Sequence, residues 1–107
     1  MQRFGEIIRI KPECLEEYKK YHANPWPETD EMLKKCNIQN YTIFYRNGIL
    51  FAYYEYTGDD FEADLKKRAA DPVTQKWWAL LDPMQIPFDD RKEGEWWSKM
   101  EAVYHLD

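Results

Sequence analysis

One stretch of this chain constrains its fold more than any other. Tyr41, Ile43 and Tyr45 alternate with Thr42, Phe44 and Arg46, the two-residue period of a strand. Asn47-Gly48 follows at once, and this pair favours the tight hairpin turn in which both central residues need positive φ. Ile49 to Tyr56 then reads as the return strand, almost wholly apolar or aromatic. A strand of that composition is covered on both faces, or is covered on one of them by a partner subunit.

No internal repeat, low-complexity tract or linker divides the chain. Phe4 to Ile10 is rich in β-formers and reads as a first strand. Lys11-Pro12 opens a helix, since proline is accepted in a first turn. Leu15, Tyr18 and His22 follow at spacings of three and four and share a face. Pro25 and Pro27 break that helix, and a second short one runs from about residue 28 to residue 36 with Met32, Leu33 and Cys36 inward. After the hairpin, Gly58-Asp59-Asp60 supplies an N-cap for a helix from Phe61 to Ala70. Asp71-Pro72 caps the next, which carries Val73, Trp77, Leu80 and Leu81 before Pro83 ends it. The loop beyond is long for a compact domain, so a lid or a subunit contact is expected there. Trp97 to Leu106 reads as a closing strand.

The order β-αα-β-β-αα-β reduces to βαββαβ, the split-βαβ pattern of ferredoxin-like folds. The expectation is therefore one α+β domain over residues 1–107, with helices on one face of a four-stranded antiparallel sheet. The bare face must be hidden, and a twin subunit's sheet is the simplest cover. That arrangement is a dimeric α/β barrel.

Several classes of function lack their parts. The net charge is −5, and the basic stretches Lys19-Lys20, Lys34-Lys35 and Lys66-Lys67-Arg68 each lie beside acids, as on solvated helix faces. A nucleic-acid partner is not expected. No apolar run approaches the ~20 residues that span a bilayer. The Met1–Glu6 segment carries no signal-peptide core, so no membrane association and a cytoplasmic location are expected. Cys14 and Cys36 read as two reduced thiols. There is no GxGxxG, P-loop, HExxH or nucleophile-elbow serine. With only two histidines, a metal site built by the protein would need carboxylates as its other ligands. Simple proton transfer remains, and it needs only a histidine, a few hydroxyls and a shaped pocket.

Five Trp, eight Tyr and five Phe exceed what a minimal core requires, so some line a pocket or an interface. His22 is the leading candidate for chemistry, because its ordinary pKa of about 6.5 suits transfer in either direction. The ordinary alternative is a histidine that caps carbonyls at a helix end. His105, in the closing strand, reads as structural. Adjacent residues on a helix point about 100° apart, so one of Trp77-Trp78 can enter the core while the other meets a ligand. Flat aromatic faces suit the C–H-rich faces of sugars, although plain core packing is the alternative. Trp96-Trp97 suits a ligand or an interface equally. Tyr18 and Tyr41, the latter at the start of the second strand, offer hydroxyls.

Taken together these residues resemble the L-rhamnose mutarotase family. The matching stretches are Tyr18-Lys-Lys-Tyr-His22-Ala-Asn-Pro-Trp26-Pro27-Glu28, Asn40-Tyr41-Thr-Ile-Phe, Asp71-Pro-Val-Thr-Gln-Lys-Trp77-Trp78 and Met100-Glu-Ala-Val-Tyr-His-Leu106. The resemblance implies His22 as proton donor, with Tyr18, Tyr41, Trp77 and Trp78 binding the substrate and Trp26 as a further pocket residue. It implies no cofactor, no metal, a homodimer, and L-rhamnose as the sugar whose anomers interconvert. Asn24-Pro25 stands one place later than the family pattern, and the loop from Pro83 to Gly94 matches little. Two other classes share these features. A haem-degrading dimeric α/β barrel would use His22 as an axial ligand, and a non-catalytic module would bind a sugar without turnover.

Overall fold

The computed structural model describes residues 1–107 and builds one antiparallel sheet around the expected hairpin. Strand β2 (Ile38–Arg46) turns at Asn47 (φ 49°) and Gly48 (φ 82°) and returns as β3 (Ile49–Tyr56). Asparagine and glycine tolerate this left-handed backbone better than other residues. β3 pairs on one side with β2 and on the other with β1 (Gln2–Ile10). Its central position explains its apolar composition. Leu50, Ala52, Tyr54 and Tyr56 are buried on one face, while Ile49, Phe51, Tyr53 and Glu55 point to the other.

The helices arise close to the expected places. A 3₁₀ turn at Pro12–Cys14 leads into α1 (Leu15–Ala23), followed by α2 (Pro27–Lys35), α3 (Phe61–Ala69) and α4 (Pro72–Leu81). Asp60 caps α3 by accepting from the Ala63 N–H at 3.1 Å. Asp71 caps α4 by accepting from the Thr74 N–H at 2.9 Å and from its hydroxyl at 2.8 Å. Such caps satisfy donors that the first helical turn leaves free. Helical residues Tyr18, Trp77 and Leu81 close over Ile8, Ile10 and Leu50 of the sheet to form the main core. A smaller cluster joins Ile38, Tyr54 and Tyr56, with Leu33 and Phe61 packed against it. No helix is long and apolar enough to cross a membrane.

The closing strand departs from expectation. Pairing is limited to β5 (Ser98–Met100), antiparallel to Gly5–Ile7 of β1. Before it, Asp82–Met84 forms a 3₁₀ turn and Gln85–Ile86 forms β4, paired with Arg9 and Ile10. The fourth position of the ferredoxin-like sheet is thus shared by two short segments along one edge of β1. Pro87, which lacks an N–H, ends β4, and the chain loops out before returning at β5. Residues 101–107 form no strand and are exposed. Val103, Tyr104 and Leu106 bury little apolar surface in the subunit, so little offsets the entropy of ordering them. His105 accordingly lies outside any strand, its Nε2 2.8 Å from an Asp107 carboxylate oxygen at the surface.

The face opposite the helices is bare in a single subunit. Phe44 is 58% exposed and Met100 48%, and Ile49 and Ile86 also reach solvent there. Phe51 lies across Gly5 on the same face, where a β-carbon at residue 5 would meet its ring at 3.2 Å.

Candidate active site

On the other face, helices and sheet enclose a cavity of about 420 Å³. This is within the usual range for small-ligand sites. Its wall is assembled from every part of the fold. Tyr18 and His22 come from α1, Tyr41 and Ile43 from β2, Arg68 from α3, and Trp77 and Trp78 from α4. Asp82, Gln85 and Trp97 close it from the C-terminal segments, and Thr29, Asp30 and Leu33 from α2.

His22 occupies the last turn of α1 and is half-buried. Its Nδ1 lies 2.9 Å from the Tyr18 carbonyl oxygen. A carbonyl only accepts, so Nδ1–H donates and the other ring nitrogen, Nε2, holds the free lone pair. The ring stacks on Tyr18, with centroids 4.3 Å apart, and meets the edge of Trp77 at 5.6 Å. Burial lowers its pKa below the ordinary value, opposed only in part by the Tyr18 carbonyl and by the charge of Asp30. His22 therefore rests neutral, oriented and ready to accept a proton.

Tyr18 is buried, and its hydroxyl accepts a hydrogen bond from Gln85 Nε2 at 3.2 Å. Gln85 is held in turn by Trp96, whose indole N–H donates to its side-chain oxygen at 2.8 Å. This chain is the structural use of Trp96, while its neighbour Trp97 joins the cavity wall. Burial raises the Tyr18 pKa, so its hydroxyl stays protonated.

Tyr41 reaches the site through a backbone irregularity. It lies inside β2 and not at its start, as the sequence suggested. Gln39 pairs with Glu55 and Thr42 with Tyr53, so Asn40 and Tyr41 together oppose Tyr54, which makes a β-bulge. Strict alternation from Gln39 would send Tyr41 to the bare face. The extra residue turns it inward, where it stacks on Tyr54 at 5.3 Å. Asn40 takes the left-handed conformation that this needs (φ 52°), and its side chain donates to Glu55 at 2.8 Å. Gln39 and Tyr53 also donate to Glu55, at 3.0 and 2.7 Å, and the three bonds pull its pKa down to about 2. Burial pushes Tyr41 up to about 12, partly opposed by the Arg68 charge.

The tryptophan pair divides as helical geometry requires. Trp77 is buried in the main core, and Trp78 is half-buried with the Arg68 guanidinium 5.2 Å above its ring. Trp26 lies off the cavity wall. It packs against Trp77 at 5.0 Å and supports the site from behind. Arg68, Asp82 and Gln85 are wall residues that sequence reasoning did not select. Arg68 ends a Lys-Lys-Arg run that reads as a solvated face, but successive residues on a helix point about 100° apart, and the third of the run turns inward.

A family model described as L-rhamnose mutarotase matches residues 3–106. An L-rhamnose mutarotase of Lactiplantibacillus plantarum is 33% identical over 109 residues and covers 100% of both chains. A UPF0734 protein of Dictyostelium discoideum is 41% identical over 100 residues, which is 89% of this chain and 80% of that one. Among solved structures, an L-rhamnose mutarotase of Formosa agariphila superposes with a TM-score of 0.79 at 23% identity and covers 100% of both chains. The tetracenomycin F2 cyclase of Streptomyces glaucescens gives a TM-score of 0.75 at 19% identity, covering 100% of this chain and 98% of that one. At those identities the two structures speak to the fold, which is that of the dimeric α/β barrels.

Proposed function

As this chain belongs to the L-rhamnose mutarotase family, we propose that His22 carries its reaction, with Tyr18, Tyr41, Trp77 and Trp78 holding the sugar. The activity is that of a carbohydrate isomerase that interconverts the α and β anomers of L-rhamnose. The observation behind the assignment is the neutral imidazole on the cavity wall, with Nδ1–H tied to Tyr18 and its second nitrogen free.

Ring opening moves one proton from the anomeric hydroxyl to the ring oxygen while the bond between C1 and the ring oxygen breaks. Both oxygens sit on C1, so a single base can serve both. Neutral His22 takes the anomeric proton on Nε2. The electron pair on that oxygen forms the aldehyde carbonyl, and the ring oxygen leaves with the pair of the broken bond. The imidazolium then protonates the ring oxygen, which is its role as donor. The free aldehyde rotates about C1–C2, and the same steps in reverse close the ring on the other face. Tyr18 and Tyr41 stay neutral and donate hydrogen bonds to the oxygen that carries charge. The indole faces take the C–H surface of the sugar. General acid–base catalysis of this kind contributes about 10²–10⁴-fold. The family match favours this reading over a haem-degrading barrel or a non-catalytic sugar-binding module.

Saturation-transfer NMR on the anomeric protons of L-rhamnose tests the activity. Transfer between the α and β signals that depends on protein supports it, and buffer-level exchange overturns it. The pH profile tests the role of His22. The reactive form is the neutral one, and burial lowers the pKa, so the rate enhancement should hold through neutrality. It should fall only as pH drops through a value below 6.5, where the imidazole protonates. An acid limb centred above pH 7 would contradict the assignment.

The same reading makes the protein a cytoplasmic homodimer joined through the bare sheet face. In support, Phe44, Ile49, Ile86 and Met100 form an apolar surface there, and Cys14 and Cys36 are free thiols. Phe44→Glu should convert the dimer into a folded monomer, because residue 44 is already exposed in one subunit. Sedimentation and far-UV circular dichroism would show this. A wild-type protein that sediments as a monomer would overturn the dimer.

A further inference from the structure

We propose that Arg68 is a substrate-binding residue, whose guanidinium takes two adjacent hydroxyls of the sugar while the Trp78 ring carries its C–H face. The proposal rests on the mutarotase reading and adds a polar contact to it. Arg68 is a cavity-wall arginine without an ion-pair partner. Arg68 lies on the cavity wall at the end of α3 and is half-buried. It makes no ion pair within 4.0 Å, and the side-chain hydroxyl that feels it as a hydrogen-bond partner is that of Tyr41. Its guanidinium stands 5.2 Å from the Trp78 ring centre and 6.0 Å from that of Tyr41. Two aromatic side chains thus position the group, and the single Tyr41 hydroxyl leaves most of its N–H donors unused.

The nearby charges leave those donors available. Glu6, on the helix-facing side of β1, feels Arg68 as its strongest favourable charge but makes no ion pair with it. Burial pushes the Glu6 carboxyl up to about 7, so near neutrality it is only part of a counter-charge. Asp30 and Asp82 also line the cavity and would repel an anionic ligand. The combination of a guanidinium with unused donors, two acids and flat aromatic faces suits a neutral polyol better than a phosphate or a carboxylate. A guanidinium presents parallel N–H groups that can reach two neighbouring oxygens at once. Such a contact binds both anomers equally if it is made away from C1, as a mutarotase requires. Arg68 therefore sets which hydroxyl pattern is accepted and takes no part in the proton transfer.

The test compares wild type, Arg68→Met and Arg68→Lys by anomer exchange as a function of L-rhamnose concentration. Arg68→Met should raise KM by about tenfold or more, as for loss of a hydrogen bond from a charged donor, and leave kcat within a few-fold. Arg68→Lys should recover part of the loss through its point charge. The 2-, 3- and 4-deoxy analogues of L-rhamnose then distinguish contact from support. At least one should bind wild type markedly worse than L-rhamnose, and that difference should vanish in Arg68→Met. An unchanged KM in Arg68→Met, or equal deoxy penalties in both proteins, would show that Arg68 only props Trp78. If wild type fails to exchange anomers, the mutarotase reading fails, and titration of tryptophan fluorescence with the same sugars still decides whether Arg68 binds them.

Discussion

His22→Ala should abolish the rate enhancement, a loss of about 10²–10⁴-fold, while the protein stays folded. The separation of the two effects follows from the geometry. His22 makes one protein hydrogen bond, to the Tyr18 carbonyl, and lies at the C-terminal end of α1. Losing such a bond costs about 1 kcal/mol of stability. The chemistry, by contrast, has no substitute on the wall. Tyr18 and Tyr41 are held neutral by burial and cannot act as bases near neutrality. Asp30 and Asp82 also line the cavity, but neither side chain is oriented by a hydrogen bond as His22 is by the Tyr18 carbonyl. His22→Gln keeps much of the volume and should be as inactive as the alanine variant. Exchange measured by NMR beside thermal melts of both variants decides the matter. Activity retained in either folded variant would move the reaction to another residue.

Trp77→Ala should be the most destabilising change among the site residues. Trp77 is buried in the main core and touches Tyr21, His22 and Trp26 through edge-on aromatic contacts. Removing a buried indole costs about 3–5 kcal/mol. A domain of this size has about 5–15 kcal/mol in total, so the variant should be partly unfolded at physiological temperature. Trp78→Ala makes the contrast. Its ring is half-buried and stacked under Arg68, so it should lose sugar affinity at a stability cost of about 1 kcal/mol. Urea unfolding of the two variants should give well-separated midpoints. Equal midpoints would mean that both rings serve the core alike.

Much of this was legible in the sequence, for reasons specific to each segment. The hairpin was clear because Asn47-Gly48 has few other uses between two apolar runs, and both residues do take positive φ. The helix starts at Asp60 and Asp71 were clear because a carboxylate there meets local N–H donors. His22 and Tyr18 could be placed together because residues four apart share a helix face. Trp77 and Trp78 could be given different directions for the converse reason, and the first is the more deeply buried.

Other features depend on contacts distant in sequence, and periodicity cannot carry them. The bulge that turns Tyr41 into the site needs Glu55, fifteen positions away, to hold Asn40. The position of Arg68 depends on Trp78 and Tyr41, which reach it from another helix and from the sheet. Gln85 matters only because Tyr18 and Trp96 meet it there. The closing strand shows the limit most plainly. An alternating apolar tail at Trp97–Leu106 reads as ten residues of strand, yet only Ser98–Met100 finds a partner edge in the subunit. Local sequence determined the elements as far as α4, their order and the histidine, because propensity, capping and helical spacing act within a few residues. The cavity, the inward turn of Tyr41 and the arginine without an ion pair on its wall were decided by the tertiary structure, because each depends on which distant side chains are brought to face one another.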